Sequence, residues 1–153
     1  MYSISVSFDV NPADERVQIS RTQMWAGLVQ KAENAVPFVS AMDECQVVER
    51  YENGFLRKIS LRSTSIRERI SFTPEVQVLF ERIDDPDHGW ISNVLSDSDR
   101  GLILTFTFAL AFPGVAAGSD EERERGEEVR ASYVSAVAAT ITEVRRRVSA
   151  GEL

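Results

Sequence analysis

The chain has 153 residues, and a folded chain of this size removes roughly 68–70% of its surface from water, enough for a real core. Hydrophobic residues make up 43% and charged ones 27%, the balance of a folded domain and not of a disordered tail. A net charge of −7 argues against binding to nucleic acid phosphate or an anionic membrane surface, and one histidine (His88) with one cysteine (Cys45) excludes a His/Cys zinc cluster, an internal disulfide and a C-x-x-C redox pair. The chemistry left to such a domain runs on carboxylates, arginines, hydroxyls or amides.

Met1-Tyr2-Ser3-Ile4-Ser5-Val6 carries no basic leader. No apolar run approaches the ~18 residues of a membrane span, since the longest, from Leu102 to Pro113, is interrupted by Thr105 and Thr107. The expectation is a cytoplasmic protein with no membrane span. No repeat or linker divides the chain, so residues 1–153 are expected to form a single domain.

Ile4, Val6, Phe8 and Val10 alternate with polar residues as a first strand. Ser20 and Gln23 then make a capping box for a helix whose apolar positions are Trp25, Leu28, Val29 and Ala32. Asn34 and Pro37 end it, and Phe38, Val39 and Met42 suggest a second short helix. From Asp43 to Ala111 the period changes to two. Asn53-Gly54 marks a hairpin, and strands follow over Leu56 to Arg62, Ile66 to Thr73, Val76 to Ile83 and Trp90 to Leu95, with a last one from Leu102 to Leu110. Short connections point to an antiparallel meander.

A long helix closes the chain. Ser119 and Glu122 form a second capping box, and acidic first and basic last turns complement the helix dipole. Val129, Tyr133, Val137, Ile141, Val144 and Val148 make one apolar stripe. The half before Val129 lacks a stripe and contains Gly126, which costs ~1 kcal/mol relative to alanine in a helix. That half is expected to fray, kink or project, its alternating charges facing solvent.

A strand, two short helices, a meander and a long terminal helix make an α+β order, in which only the last helix is long enough to cover the meander's apolar face. Several stretches carry a resemblance: Ile19-Ser20-Arg21-Thr22-Gln23-Met24-Trp25-Ala26-Gly27-Leu28, Phe55-Leu56-Arg57-Lys58-Ile59 and Ile66-Arg67-Glu68-Arg69-Ile70. Phe80-Glu81-Arg82, Gly89-Trp90-Ile91-Ser92-Asn93 and Leu104-Thr105-Phe106-Thr107-Phe108 continue it. Together they resemble the SRPBCC helix-grip superfamily of START domains, birch-pollen allergens and polyketide aromatase/cyclases, and within it the AtaL-like group. The resemblance implies a curved antiparallel sheet wrapped around the C-terminal helix, with a cavity between them. It implies no general reaction or catalytic set.

Strand parity selects the polar candidates. Phe55, Arg57, Ile59 and Leu61 share one face, as do Ile66, Glu68, Ile70 and Phe72 on the next strand. A two-residue turn at Ser63-Thr64 would set Arg57 diagonally from Glu68 on the inner wall. In such a pair the arginine can hold a ligand carboxylate, enolate or carbonyl oxygen and the glutamate can orient it or act as a base; the bland alternatives are that the pair simply neutralises itself or that a longer turn moves Glu68 to the outside. Asn93 alternates with Ile91 and Leu95 and reads either as a cavity hydrogen-bonder or as an edge or bulge residue. Trp90 and Trp25 are candidates for a ligand wall or for plain core. Tyr133 lies on the helix stripe, and its hydroxyl needs a partner if buried. His88 reads as an exposed turn residue and Cys45 as an inert thiol. Asp84, Asp85 and Asp87 read as a solvated turn, lacking a calcium-loop pattern; Thr105 and Thr107 should face water.

The expected function is binding of a small hydrophobic or aromatic molecule, with Arg57, Glu68, Asn93, Trp90 and Tyr133 as ligand-binding residues. Polyketide cyclase-like or other secondary-metabolite chemistry would run without metal, nucleotide or other cofactor, and without nucleic acid partners. The alternative is a non-catalytic carrier or protein-interaction module. The oligomeric state is left open, a dimer included.

Overall fold

The computed structural model describes residues 1–61, 64–84 and 88–153. In chain order the elements are β1 (Tyr2–Asp9), α1 (Arg21–Glu33), β2 (Met42–Tyr51), β3 (Gly54–Leu61), β4 (Thr64–Thr73) and β5 (Gln77–Arg82), then β6 (Gly89–Ser98), β7 (Gly101–Leu110) and α2 (Asp120–Ser149). The seven strands form one antiparallel sheet in the order β1-β7-β6-β5-β4-β3-β2, a meander whose last strand picks up the first. This is the helix-grip α+β fold: one curved sheet, one long C-terminal helix and a shorter helix.

Alternation decides which side chains turn inward. On β7 Leu104, Phe106 and Phe108 are fully buried, while Thr105 and Thr107 bond Ser7 and Ser5 of β1 on the outer face, each at 2.8 Å. The apolar stripe of α2 closes over the inner face through Val137, Ile141 and Val144, all in the same core cluster as the phenylalanines. The edge strand β2 has register shifts at Met42/Glu44 and Val47/Glu49. Such bulges bend a strand and blunt an edge that would otherwise invite further pairing.

The α1 capping box is complete: Ser20 accepts from the Gln23 amide at 3.2 Å, and Gln23 accepts from the Ser20 amide at 3.0 Å. On α2 only half a box forms. Ser119 accepts from the Glu122 amide, whereas the Glu122 carboxylate reaches one residue further back, to the Gly118 amide at 2.8 Å. The Ser119 amide is already bonded to the Ala116 carbonyl, which frees the carboxylate for that second donor.

Two local expectations are corrected. The second short helix is a turn: the Phe38 and Val39 amides both bond the Ala35 carbonyl, and β2 starts at Met42 before a helical repeat can build. The first half of α2 is neither frayed nor kinked. It continues the helix, with Gly126 buried beneath the Tyr2 ring and the Tyr2 hydroxyl donating to Glu127 at 2.7 Å. The missing side chain lets the helix lie against β1, so packing overrides the propensity cost. Ser63 of the expected turn, and Asp85 and Asp87 of the acidic cluster, lie outside the described residues. Among the described residues no helix is long and apolar enough to cross a membrane.

Candidate functional site

The register brings charged residues together on the inner face. Arg57 of β3 stands directly opposite Glu68 of β4, and Glu68 stands directly opposite Arg82 of β5. The expected diagonal between Arg57 and Glu68 is corrected to a cross-strand pair, because Leu61 pairs with Thr64, which begins β4 two residues before Ile66. Both partners are buried, Arg57 at 4% and Glu68 at 2% exposure.

Each nitrogen of the Arg57 guanidinium has a protein acceptor. Nε and Nη2 donate to Glu68 Oε2 at 2.8 and 2.6 Å, and Nη1 donates to the Ala32 carbonyl at 2.7 Å and the Lys31 carbonyl at 3.3 Å. Those two carbonyls belong to the last turn of α1, where a helix leaves acceptors without partners and where a cation meets the negative end of the dipole. The guanidinium also lies over the Phe80 ring at 4.9 Å and 3.7 Å from the Cys45 sulfur, so the half-buried thiol has a cationic neighbour that its sequence context did not show. Arg57 thus ties α1 to the sheet.

Between this wall and α2 lies a cavity of about 330 Å³, at the lower end of the size range of small-molecule pockets. Its apolar lining includes Ile59, Phe80, Ile91, Phe106 and Val137; the exposed Glu128 and Ser132 of α2 mark its mouth. Its polar lining is Lys31, Arg57, Glu68, Arg82, Asn93 and Tyr133. Four of the five residues expected at a ligand site are therefore together here.

Asn93 is 1% exposed, and among the described residues neither its amide oxygen nor its amide nitrogen has a hydrogen-bond partner. The edge and bulge readings do not hold, since β6 runs in regular register between β5 and β7 with Asn93 opposite Val78 and Phe106. A buried amide left unmatched costs about 1–3 kcal/mol. The Tyr133 ring stacks on Phe108 at 4.5 Å, and its hydroxyl accepts a bond from Arg82 Nη2 at 2.9 Å. Burial, more than any neighbouring charge, holds the phenol above its ordinary range, so it is a neutral donor. Arg82 Nε is a second buried donor without a partner among the described residues.

Trp90 is not in this cavity. It is 37% exposed and sits on the outer face with Leu79, Ser92 and Thr107, as β-strand alternation from Ile91 and Asn93 requires. Trp25 packs edge-on against Phe72 at 5.9 Å. His88 is exposed.

Sequence reasoning missed Lys31. It lies on the buried face of α1 with Met24, Leu28 and Ala32, and it is 9% exposed. Burial first, and then the Arg57 guanidinium, push its amine down to about 8, with Glu68 pulling the other way. The available signal was its place seven residues after Met24 and three after Leu28, in a chain whose only other lysine is Lys58.

The family model described as "Acetylaranotin biosynthesis cluster protein L" (AtaL) matches residues 4–151. Among solved structures, the chain is similar to the Zhui aromatase/cyclase from Streptomyces sp. R1128, with 18% identity and a TM-score of 0.67 over 96% of this chain and 94% of that one. It is similar to the di-domain ARO/CYC StfQ from the steffimycin biosynthetic pathway at 8% identity and TM-score 0.71, covering 96% of this chain and 52% of StfQ. Ara h 8.0201 gives 12% identity and TM-score 0.61, over 94% and 97% of the two chains. Identities this low establish a shared fold and no shared chemistry. No curated protein matches the sequence.

Proposed function

Because the chain belongs to the AtaL family, we propose that its cavity binds a small hydrophobic or aromatic molecule carrying a carbonyl, hydroxyl or carboxylate group. The supporting observation is Asn93: a buried amide without a protein partner, opening on a cavity whose other walls are largely apolar. Apolar area gives such a site affinity, and a few convergent polar groups set orientation. In this reading Asn93, the Tyr133 hydroxyl and Arg82 Nε meet the polar end of the ligand. Arg57 and Glu68 satisfy each other and keep that end of the cavity in shape. The structural neighbours named as aromatase/cyclases make polyketide-like aromatic compounds the first ligands to try. A carrier without chemistry would use the same cavity, and the saturation of Arg57 by protein acceptors favours that over an arginine-driven reaction.

Native mass spectrometry of protein purified from its own host tests the reading. We expect a small organic molecule retained by the wild-type chain and depleted in Asn93→Leu. A chain that retains nothing and also fails to bind the apolar dye 1-anilinonaphthalene-8-sulfonate would remove the reading.

A further inference from the structure

We infer that Lys31 is an amine nucleophile that condenses with an aldehyde or ketone group of a ligand held in the cavity, forming an imine. The inference rests on the ligand-binding reading above and names the functional group such a ligand presents.

Lys31 is buried yet lines the cavity, at the end of α1 where the sheet and α2 leave space. Among the described residues its amine makes no hydrogen bond or ion pair, its ties to Arg57 and Glu68 being electrostatic at longer range. The nitrogen is therefore not consumed by the fold, in contrast to the Arg57 guanidinium. The placement is costly in structural terms, because the amine feels the Arg57 cation, and Glu68, the one carboxylate on this wall, stands between Arg57 and Arg82.

The chain uses 15 arginines against two lysines. A position that needed only a fixed charge could be arginine like the others. Of the two cationic side chains, only the lysine amine can shed its proton near neutral pH and attack carbon. Burial and a neighbouring cation are the two devices that make a lysine nucleophilic, and both act here, bringing the amine to about 8.

The reaction is self-contained. The neutral nitrogen donates its lone pair to the carbonyl carbon, forming the C–N bond while the C=O π pair moves to oxygen. The resulting carbinolamine loses one water, whose two hydrogens derive from the amine, and leaves a C=N bond. No oxidant, reductant or co-reactant enters. Asn93 of β6 and the Tyr133 hydroxyl of α2 are neutral hydrogen-bonding groups lining the same cavity that can hold the carbonyl oxygen. The charged and titratable groups that line the cavity with the amine are Arg57 from β3, Glu68 from β4, Arg82 from β5, and Tyr133 and Glu128 from α2, and Cys45 of β2 lies against the Arg57 guanidinium.

The test uses the intact wild-type chain with benzaldehyde and sodium cyanoborohydride, which reduces any imine to a stable benzylamine, followed by peptide mapping. Lys58, exposed on the outer face of β3, is the internal reference amine. At pH 7 an amine titrating at about 8 has roughly two orders of magnitude more neutral form than an ordinary lysine. Its lower basicity takes back part of that gain, so we expect Lys31 to label at least roughly ten-fold faster than Lys58. The Lys31 rate should level off as pH rises through about 8, and saturating 1-anilinonaphthalene-8-sulfonate should slow Lys31 without slowing Lys58. Labelling of Lys31 no faster than Lys58, in a chain that binds the dye, overturns the imine inference and leaves the binding proposal standing. A chain that binds no dye and labels at Lys31 no faster than at Lys58 overturns both.

Discussion

Arg57 and Glu68 face each other across β3 and β4, and two nitrogens of the guanidinium converge on one carboxylate oxygen at 2.8 and 2.6 Å. Removing one member of a buried pair leaves the other charge stranded, at a cost of about 3–5 kcal/mol. Arg57→Met and Glu68→Gln should each lose stability of that order in urea unfolding, yet move Lys31 in opposite directions. Arg57 pushes the lysine down and Glu68 pulls it up, so Arg57→Met raises the Lys31 midpoint and Glu68→Gln lowers it further. Side-chain nitrogen NMR of Lys31 across pH 6 to 11 reads the sign. Shifts in the same direction for both variants would show that the two side chains act on Lys31 through packing and not through charge.

Lys31 should make the protein less stable than it could be. Its amine titrates at about 8 in the folded chain against 10.5 for the free side chain. The unfolded state therefore holds more protons between those values, and stability rises with pH across that window. Below about 8 the penalty is present in full, and above 10.5 it is gone. At roughly 1.4 kcal/mol per pKa unit, Lys31→Met should stabilise the protein at pH 7 by up to about 3 kcal/mol. The gain should be smaller at pH 9.5. A stabilised variant that loses the fast benzaldehyde label while Lys58 still reacts is the pattern expected where function opposes stability. Lys31→Met that destabilises at pH 7 would mean that the ammonium has a compensating role in the fold.

The strands and the two helices were readable because each depends on local rules. Leu104, Phe106 and Phe108 alternate with threonines, Ser20 and Gln23 cap α1, and Val137, Ile141 and Val144 recur at helical spacing. Parity also carried Arg57, Glu68 and Asn93 to the inner face. The same rule should have removed Trp90, because neighbours in a strand cannot both point inward; naming Trp90 beside Asn93 broke the alternation that selected Asn93. Lys31 was harder to read, because its spacing from Met24 and Leu28 is a signal only once the buried face of α1 is known. The face of α1 that is buried depends on how the helix lies against the sheet and α2, where Gly27 comes close to the Val144 side chain only in the folded chain. The apolar stripe Trp25, Leu28, Val29 and Ala32 shares Leu28 and Ala32 with the buried face, which turns toward Met24 and Lys31 in place of Trp25 and Val29.

Asn93→Leu replaces the unmatched amide with an apolar side chain of similar size. Without ligand it should stabilise the protein by about 1–3 kcal/mol, because no hydrogen bond is lost and a desolvation cost is relieved. Thermal unfolding of ligand-free protein measures this. With the retained ligand present the order should reverse, since ligand binding stabilises only the chain that recognises it. Loss of stability in the ligand-free variant would mean that ordered water, bonded to both ends of the amide, belongs to the resting structure.

Gly126→Ala gives the plainest test of how α2 docks. In an exposed helix interior this change stabilises by about 1 kcal/mol. Here an added Cβ would lie 2.2 Å from the Tyr2 ring, too close to be accommodated without moving the ring and with it the hydroxyl that bonds Glu127. The substitution should therefore destabilise, by about 1–3 kcal/mol, as overpacking does. Tyr2→Ala removes the obstacle, so in that background Gly126→Ala should regain its ordinary stabilising sign. Chemical denaturation of the four chains in the cycle measures the coupling, and it comes from a contact between β1 and a helix more than a hundred residues away in sequence. If Gly126→Ala stabilises in both backgrounds, the ring is not seated on the glycine, and the first half of α2 is free to move as its sequence alone suggests.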